Sequence, residues 1–245
     1  MSDLCSHPHD DDRTITRRHA FAVAAAAAVA PRMRSAWAAD PPKEMAPPPN
    51  AISPADALKR LREGNERYAK GEMKERDFSA GRAARAQGQY PFAAILSCAD
   101  SRVAPELAFD EGPGQLFVVR VAGNVVNPDL LASLEYGVQF LGVPLILVLG
   151  HSQCGAVGAA IKVLKSKAAL PGHLPGLVAL IKPAVVAAQK TGSGELLDNA
   201  ITENVRAQVA RLKAAPPVVQ KFYAAKKIDI AGGVYDLATG KIALV

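Results

Sequence analysis

Cys98, His151 and Cys154 have the residue types and spacing of a metal site. Cys98 stands in Cys98-Ala99-Asp100-Ser101-Arg102, and the other two share His151-Ser152-Gln153-Cys154. Thiolate and imidazole are donors that zinc takes readily, and three protein ligands leave a tetrahedral ion one open position where a structural site would close the shell with a fourth. A water in that position is made acidic by the metal. Two thiolates and one neutral imidazole cancel the charge of the ion, so this set acidifies water less than three imidazoles would, and neighbouring groups must help. Asp100 can accept a hydrogen bond from the water and aim its lone pair, while Arg102 can keep Asp100 ionised through a charge-assisted pair. Taken alone, an Asp-x-Arg pair is more often a surface salt bridge; its adjacency to Cys98 reverses that preference.

Other chemistries of the same residues fit less well. Of three cysteines, Cys5 lies near the start of the chain, which leaves Cys98 and Cys154 as a pair that an exported protein could join in a disulfide. The His-x-x-Cys step and the Asp-x-Arg beside Cys98 favour a metal instead. Gly150-His151-Ser152-Gln153-Cys154 approaches the nucleophile elbow Gly-x-Ser-x-Gly, but its last position is not the small residue that the tight turn needs, and only His173 follows to complete a triad. Arg102 follows Cys98 too closely for the arginine of a cysteine phosphatase, and the position where that arginine would fall is Ala104.

Both half-sites directly follow apolar runs, residues 92–97 and 144–150, that read as buried strands, so the three side chains can converge at strand ends. Residues 116–121 are a further strand candidate, rich in β-branched residues. Ser53-Pro54 supplies an N-cap and first-turn proline for an amphipathic helix carrying Leu58, Leu61 and Tyr68. Pro128 opens a helix to Leu141 with Leu131, Leu134, Val138 and Leu141 on one side, and residues 155–167, 174–190 (bent at Pro183) and 195–214 read as further helices. Residues 76–88 read as a polar loop, and 228–235 and 241–245 as a strand pair around Thr239-Gly240. The alternation predicts an α/β fold: a mostly parallel sheet flanked by helices, with a C-terminal antiparallel edge strand. Ligands in such sheets gather beyond the carboxyl ends of the strands, where Cys98 and His151 fall.

From Gln89 to Gly158 the chain resembles the β-class carbonic anhydrases, whose signatures are Cys-x-Asp-x-Arg and His-x-x-Cys. The likeness runs on through Phe117-Val118-Val119-Arg120, Ser133-Leu134-Glu135-Tyr136 and Gly150-His151-Ser152, and extends more weakly from Ala51 to Val245. The resemblance implies one zinc ion per subunit on Cys98, His151 and Cys154, with reversible hydration of carbon dioxide to bicarbonate and a proton. It implies a substrate pocket containing Gln89, Phe117 and Tyr136, partly contributed across a subunit boundary, hence a homodimer or higher homo-oligomer against which the N-terminal helix packs. Gly155 would present its backbone amide to bicarbonate at a helix start, where anions are favoured. Ile95 stands where bicarbonate-inhibited members carry tryptophan, which argues against a regulatory bicarbonate pocket. His173 could relay protons or be an idle loop residue. Two alternatives of the same fold are a zinc-stabilised binding protein without turnover and a hydrolase of carbon disulfide or carbonyl sulfide; retention of Asp100 and Arg102 speaks against the first.

The ends and the composition bound the rest. Residues 1–39 read as an export signal of twin-arginine type, with Arg17-Arg18, a short apolar stretch and Ala36-Trp37-Ala38 for cleavage, which predicts a periplasmic or secreted protein; the alternative is a polar tail on a cytoplasmic enzyme. The apolar stretch, broken by Pro31 and Arg32, falls well short of the roughly twenty residues that a stable membrane span needs. Residues 40–51 form a proline-rich linker, and 52–245 are the catalytic domain, long enough for a single α/β core. A net charge of +6 without a basic run or interleaved aromatics does not suit a nucleic-acid groove.

Overall fold

The structure, a computed structural model, describes residues 50–191 and 193–245. The expected export signal (1–39) and residues 40–49 of the linker lie outside the described residues.

Helix α1 (Pro54–Lys70) starts where the Ser53 side chain accepts the Asp56 amide, with proline in the first turn, and ends at Gly71 in the left-handed region. It buries Ala57, Leu61, Gly64 and Asn65, a single stripe at helical spacing. A four-residue helix, α2 (Arg82–Arg85), lies within the stretch expected to be a polar loop, a correction to that reading. Strand β1 (Ala93–Ser97) leads through α3 (Pro105–Ala108) to β2 (Leu116–Arg120) and a 3₁₀ turn (Ala122–Asn124). Then come α4 (Pro128–Phe140), capped by the Asn127 side chain, and β3 (Leu145–His151). Helices α5 (Gly155–Ser166), α6 (Leu174–Ala188), α7 (Leu196–Lys213) and α8 (Val218–Ala224) precede the closing strands β4 (Asp229–Tyr235) and β5 (Ile242–Leu244). Pro183 sits inside α6 without ending it.

The strands form one sheet in the order β2-β1-β3-β4-β5, parallel except for the antiparallel β5 at the edge. Every residue of β1 and β3 is buried because helices cover both faces of the sheet. Ala94, Leu96, Ile146 and Val148 point into a core shared with Leu134, Val205, Leu212 and Val219, whereas Ala93, Ile95, Leu145 and Leu147 meet Ala57, Leu61, Val103 and Phe109 on the other face. A third cluster, of Val125, Val157, Ile181, Val185 and Ile201, encloses Cys98 and Cys154 at the carboxyl end of the strands. After β1 the chain moves outward to β2, then crosses back beyond β1 to β3. The β1/β3 boundary is thus a topological switch point, where a crevice opens beyond the strand ends.

Candidate metal centre

Ser97, the last residue of β1, lies beside Leu149 of β3, so Cys98 and His151 emerge from adjacent strands in the same direction. Gln153, with φ 56°, turns the chain sharply after β3, and Cys154 becomes the N-cap of α5. One sulfur from Cys98, one from Cys154 and one ring nitrogen of His151 lie within 4.8 Å of one another. All three side chains are buried, His151 completely.

The ring of His151 is oriented from behind. Its Nδ1–H donates to the carbonyl of Ser152 at 2.9 Å, which leaves the Nε2 lone pair free, and that buried atom has no hydrogen-bond partner among the described residues. Ser152 is itself fastened to the end of the neighbouring strand β4 and the turn that follows it: its amide donates to Tyr235 O at 2.9 Å, and its Oγ accepts the Leu237 amide at 2.9 Å. An unsatisfied imidazole nitrogen facing two sulfurs is the donor set of a soft to borderline divalent cation, and the residues present fit zinc.

The three donors share charge unevenly. The neighbouring Cys154 thiol, opposed by burial, together with the adjacent His151 imidazole and the backbone amide of Gly123, holds the Cys98 thiol down at about 4. The Cys98 thiolate and burial push Cys154 the other way. Burial resists a charge on His151, but the Cys98 thiolate, the Ser152 carbonyl and Asp100 outweigh it and raise the imidazole above its usual value.

Asp100 stands beside this set, its Oδ2 at 3.8 Å from His151 Nε2. Arg102 grips it as the sequence suggested: Nε donates to Oδ1 at 2.9 Å, Nη2 to Oδ2 at 2.7 Å, and the Arg102 amide to Oδ1 at 3.0 Å. That fork holds the Asp100 carboxyl well below the ordinary carboxylate range. Arg120, for which the sequence suggested no role, donates from Nε to Cys98 O at 3.0 Å and from Nη2 to Asp100 O at 2.7 Å, bracing the loop that carries both. A charged residue closing an otherwise apolar strand was the available signal; its target depends on the β1–β2 register, which pairs Arg120 with Ser97.

The expected substrate-pocket residues are dispersed within one chain. Gln89 is exposed and lines a cavity of about 380 Å³ with Asn50, Arg60, Tyr90 and Phe92. Phe117 packs against Tyr136 at 6.3 Å between ring centroids, and Tyr136, 47% exposed, stacks on the still more exposed Phe140 at 5.4 Å. Among the described residues none of these makes a hydrogen bond or ring contact with the ligand set. Gly155 begins α5 directly after Cys154, with its amide among the free donors of the first turn. His173 is exposed, at the start of α6.

Residues 93–242 match the family model described as carbonic anhydrase. "Carbonic anhydrase 2" of Mycobacterium tuberculosis is 40% identical over 193 residues, covering 78% of this chain and 93% of that protein. The solved β-carbonic anhydrase of Coccomyxa, in complex with acetazolamide, superposes with a TM-score of 0.61 at 30% identity, covering 78% of this chain and 85% of that one. A tetrameric β-carbonic anhydrase of Sordaria macrospora shares the fold, with a TM-score of 0.60 at 24% identity, covering 78% of this chain and 94% of that one.

Proposed function

Because the chain belongs to the carbonic anhydrase family, as a member of its β class, we propose that the crevice between β1 and β3 holds one zinc ion per subunit on Cys98, His151 and Cys154. The enzyme catalyses the reversible hydration of carbon dioxide to bicarbonate and a proton. When bound, the metal would supply the Lewis acidity that lowers the pKa of a water, less than a three-imidazole site would. The protein's own residues do the rest. Asp100, kept anionic by the guanidinium fork, accepts a hydrogen bond from the attacking water and turns its lone pair toward carbon dioxide. The backbone amide of Gly155 stabilises the bicarbonate formed, with the α5 dipole behind it.

Gln89, Phe117 and Tyr136 complete an apolar substrate pocket only when a second copy is present, so the working unit is at least a homodimer. The exposed ring of Tyr136 supports this reading. Residues 1–39 direct the enzyme out of the cytoplasm by the twin-arginine route; cell fractionation that finds it wholly cytoplasmic and uncleaved would refute this.

One observation carries the assignment: three buried donors within 4.8 Å of one another, with an arginine-held carboxylate beside them. Stopped-flow carbon dioxide hydration together with metal analysis tests it. The expected outcome is one zinc per chain and a rate that rises with alkalinity. Less than about half an equivalent of zinc, with both thiols oxidised, overturns it.

A further inference from the structure

Two buried amides on α7, Asn204 and Gln208, are among the few polar side chains in the apolar interior, 1% and 3% exposed. Burying an amide is costly unless every polar atom finds a partner, so what these two hold is informative. Gln208 Oε1 accepts the Val126 amide at 2.9 Å, Gln208 Nε2 donates to Asn204 Oδ1 at 3.3 Å, and Asn204 Nδ2 donates to Gly123 O at 2.8 Å. Neither amide can be turned over: the Gly123 carbonyl needs a donor and the Val126 N–H needs an acceptor, so the direction of the whole row is set. The Gly123 amide then donates to Cys98 Sγ at 3.2 Å.

Gly123 has little other freedom. Its φ is +73°, and a Cβ there would meet Ile181 Cδ1 at 2.7 Å. The residue is therefore held by the sulfur on its amide side, by Asn204 on its carbonyl side and by α6 across its α-carbon.

We propose that Asn204, oriented by Gln208, is a positioning residue that keeps the Gly123 N–H on the sulfur of Cys98 and so sets how strongly that sulfur donates to the metal. The inference rests on the zinc-site reading above. Replacing Asn204 by an apolar residue of similar size strands the Gly123 carbonyl, which then turns to seek another partner and takes the neighbouring N–H off the sulfur. Groups that orient metal ligands from behind affect metal affinity without touching the ion.

The test compares cobalt(II)-substituted wild type with Asn204→Leu, Gln208→Met and, as a packing control on the same helix, Val205→Ala. In wild type a sulfur-to-cobalt charge-transfer band is expected. Asn204→Leu should shift that band and speed metal release to a chelator by on the order of 10- to 100-fold. Gln208→Met should shift it the same way by less, and Val205→Ala should lower the melting temperature while leaving band and release unchanged. Bands and release rates of both amide variants superimposable on wild type overturn the proposal; should Asn204→Leu not fold, an unshifted Gln208→Met does so alone. A wild-type protein that takes up cobalt without any thiolate band refutes the metal reading itself, and this inference with it.

Discussion

Asp100 is the residue on which turnover should depend most while the metal does not. It lies outside the cluster of three donors, both its oxygens are engaged by Arg102, and it is 3.8 Å from the imidazole of His151. Asp100→Ala is therefore expected to retain one zinc per chain and lose hydration activity by about 10²- to 10⁴-fold; wild-type turnover in that variant would remove Asp100 from the mechanism. Arg102→Lys keeps the charge but not the two-pronged grip, so it should lower kcat by less than Arg102→Ala while leaving the zinc content alone. At this scale the sequence was eloquent where the chemistry is contiguous. Cys98, Asp100 and Arg102 sit within one loop, and His151 and Cys154 within one turn, so their grouping could be read from spacing together with the flanking residues and the family resemblance. Arg120, Asn204 and Gln208 could not be read in the same way, because what they touch depends on strand register and on a helix far along the chain.

The elements that position the site are held by another carboxylate, this one buried. Asp110, wholly buried after α3, accepts from Arg67 of α1 and from Arg76, and also from the Lys74 amide. Burial opposes its charge, yet the two guanidinium groups and the amide hold its carboxyl below the ordinary value. A depressed carboxyl contributes stability that is present above its unfolded-state pKa, near 4, and is lost as pH falls through the folded one. Asp110→Asn should therefore be less stable than wild type at pH 7, by on the order of 3 kcal/mol, with the gap narrowing in melts taken progressively below pH 4. A gap that widens in acid would contradict that sign. The long elements were legible because each repeats its pattern over several turns or alternations: α1 by its cap and stripe, β1 and β3 by continuous apolar runs, and α4, α5, α6 and α7 to within a few residues. The short helices α2, α3 and α8 were not, since four to seven residues give too few turns for a period to stand out.

For the whole molecule, a metal held on the three donors would link binding to folding. An ion bound by the folded chain but poorly by the unfolded one raises stability by mass action. Removing it with a chelator should lower the melting temperature by at least about 5 °C, and zinc should restore it. An unchanged melting curve would show that the three donors do not hold the ion in the native state. Solution mass should correspond to two or more chains, and a fully active monomer would rule out a pocket shared across subunits. The face where half-buried Phe117 meets the exposed rings of Tyr136 and Phe140 is where such sharing would be felt.

The fastening of Ser152 to Tyr235 and Leu237 also bears on biogenesis. Every donor atom has been synthesised once Cys154 leaves the ribosome, yet the imidazole is not aimed until the C-terminal strand pair has docked behind it. Retention of an ion on the three donors would then be a late, post-translational event. A truncated polypeptide ending before β4 would contain all three donors without these bonds, and is expected to hold an ion more weakly than the full chain, which metal analysis of the two would check.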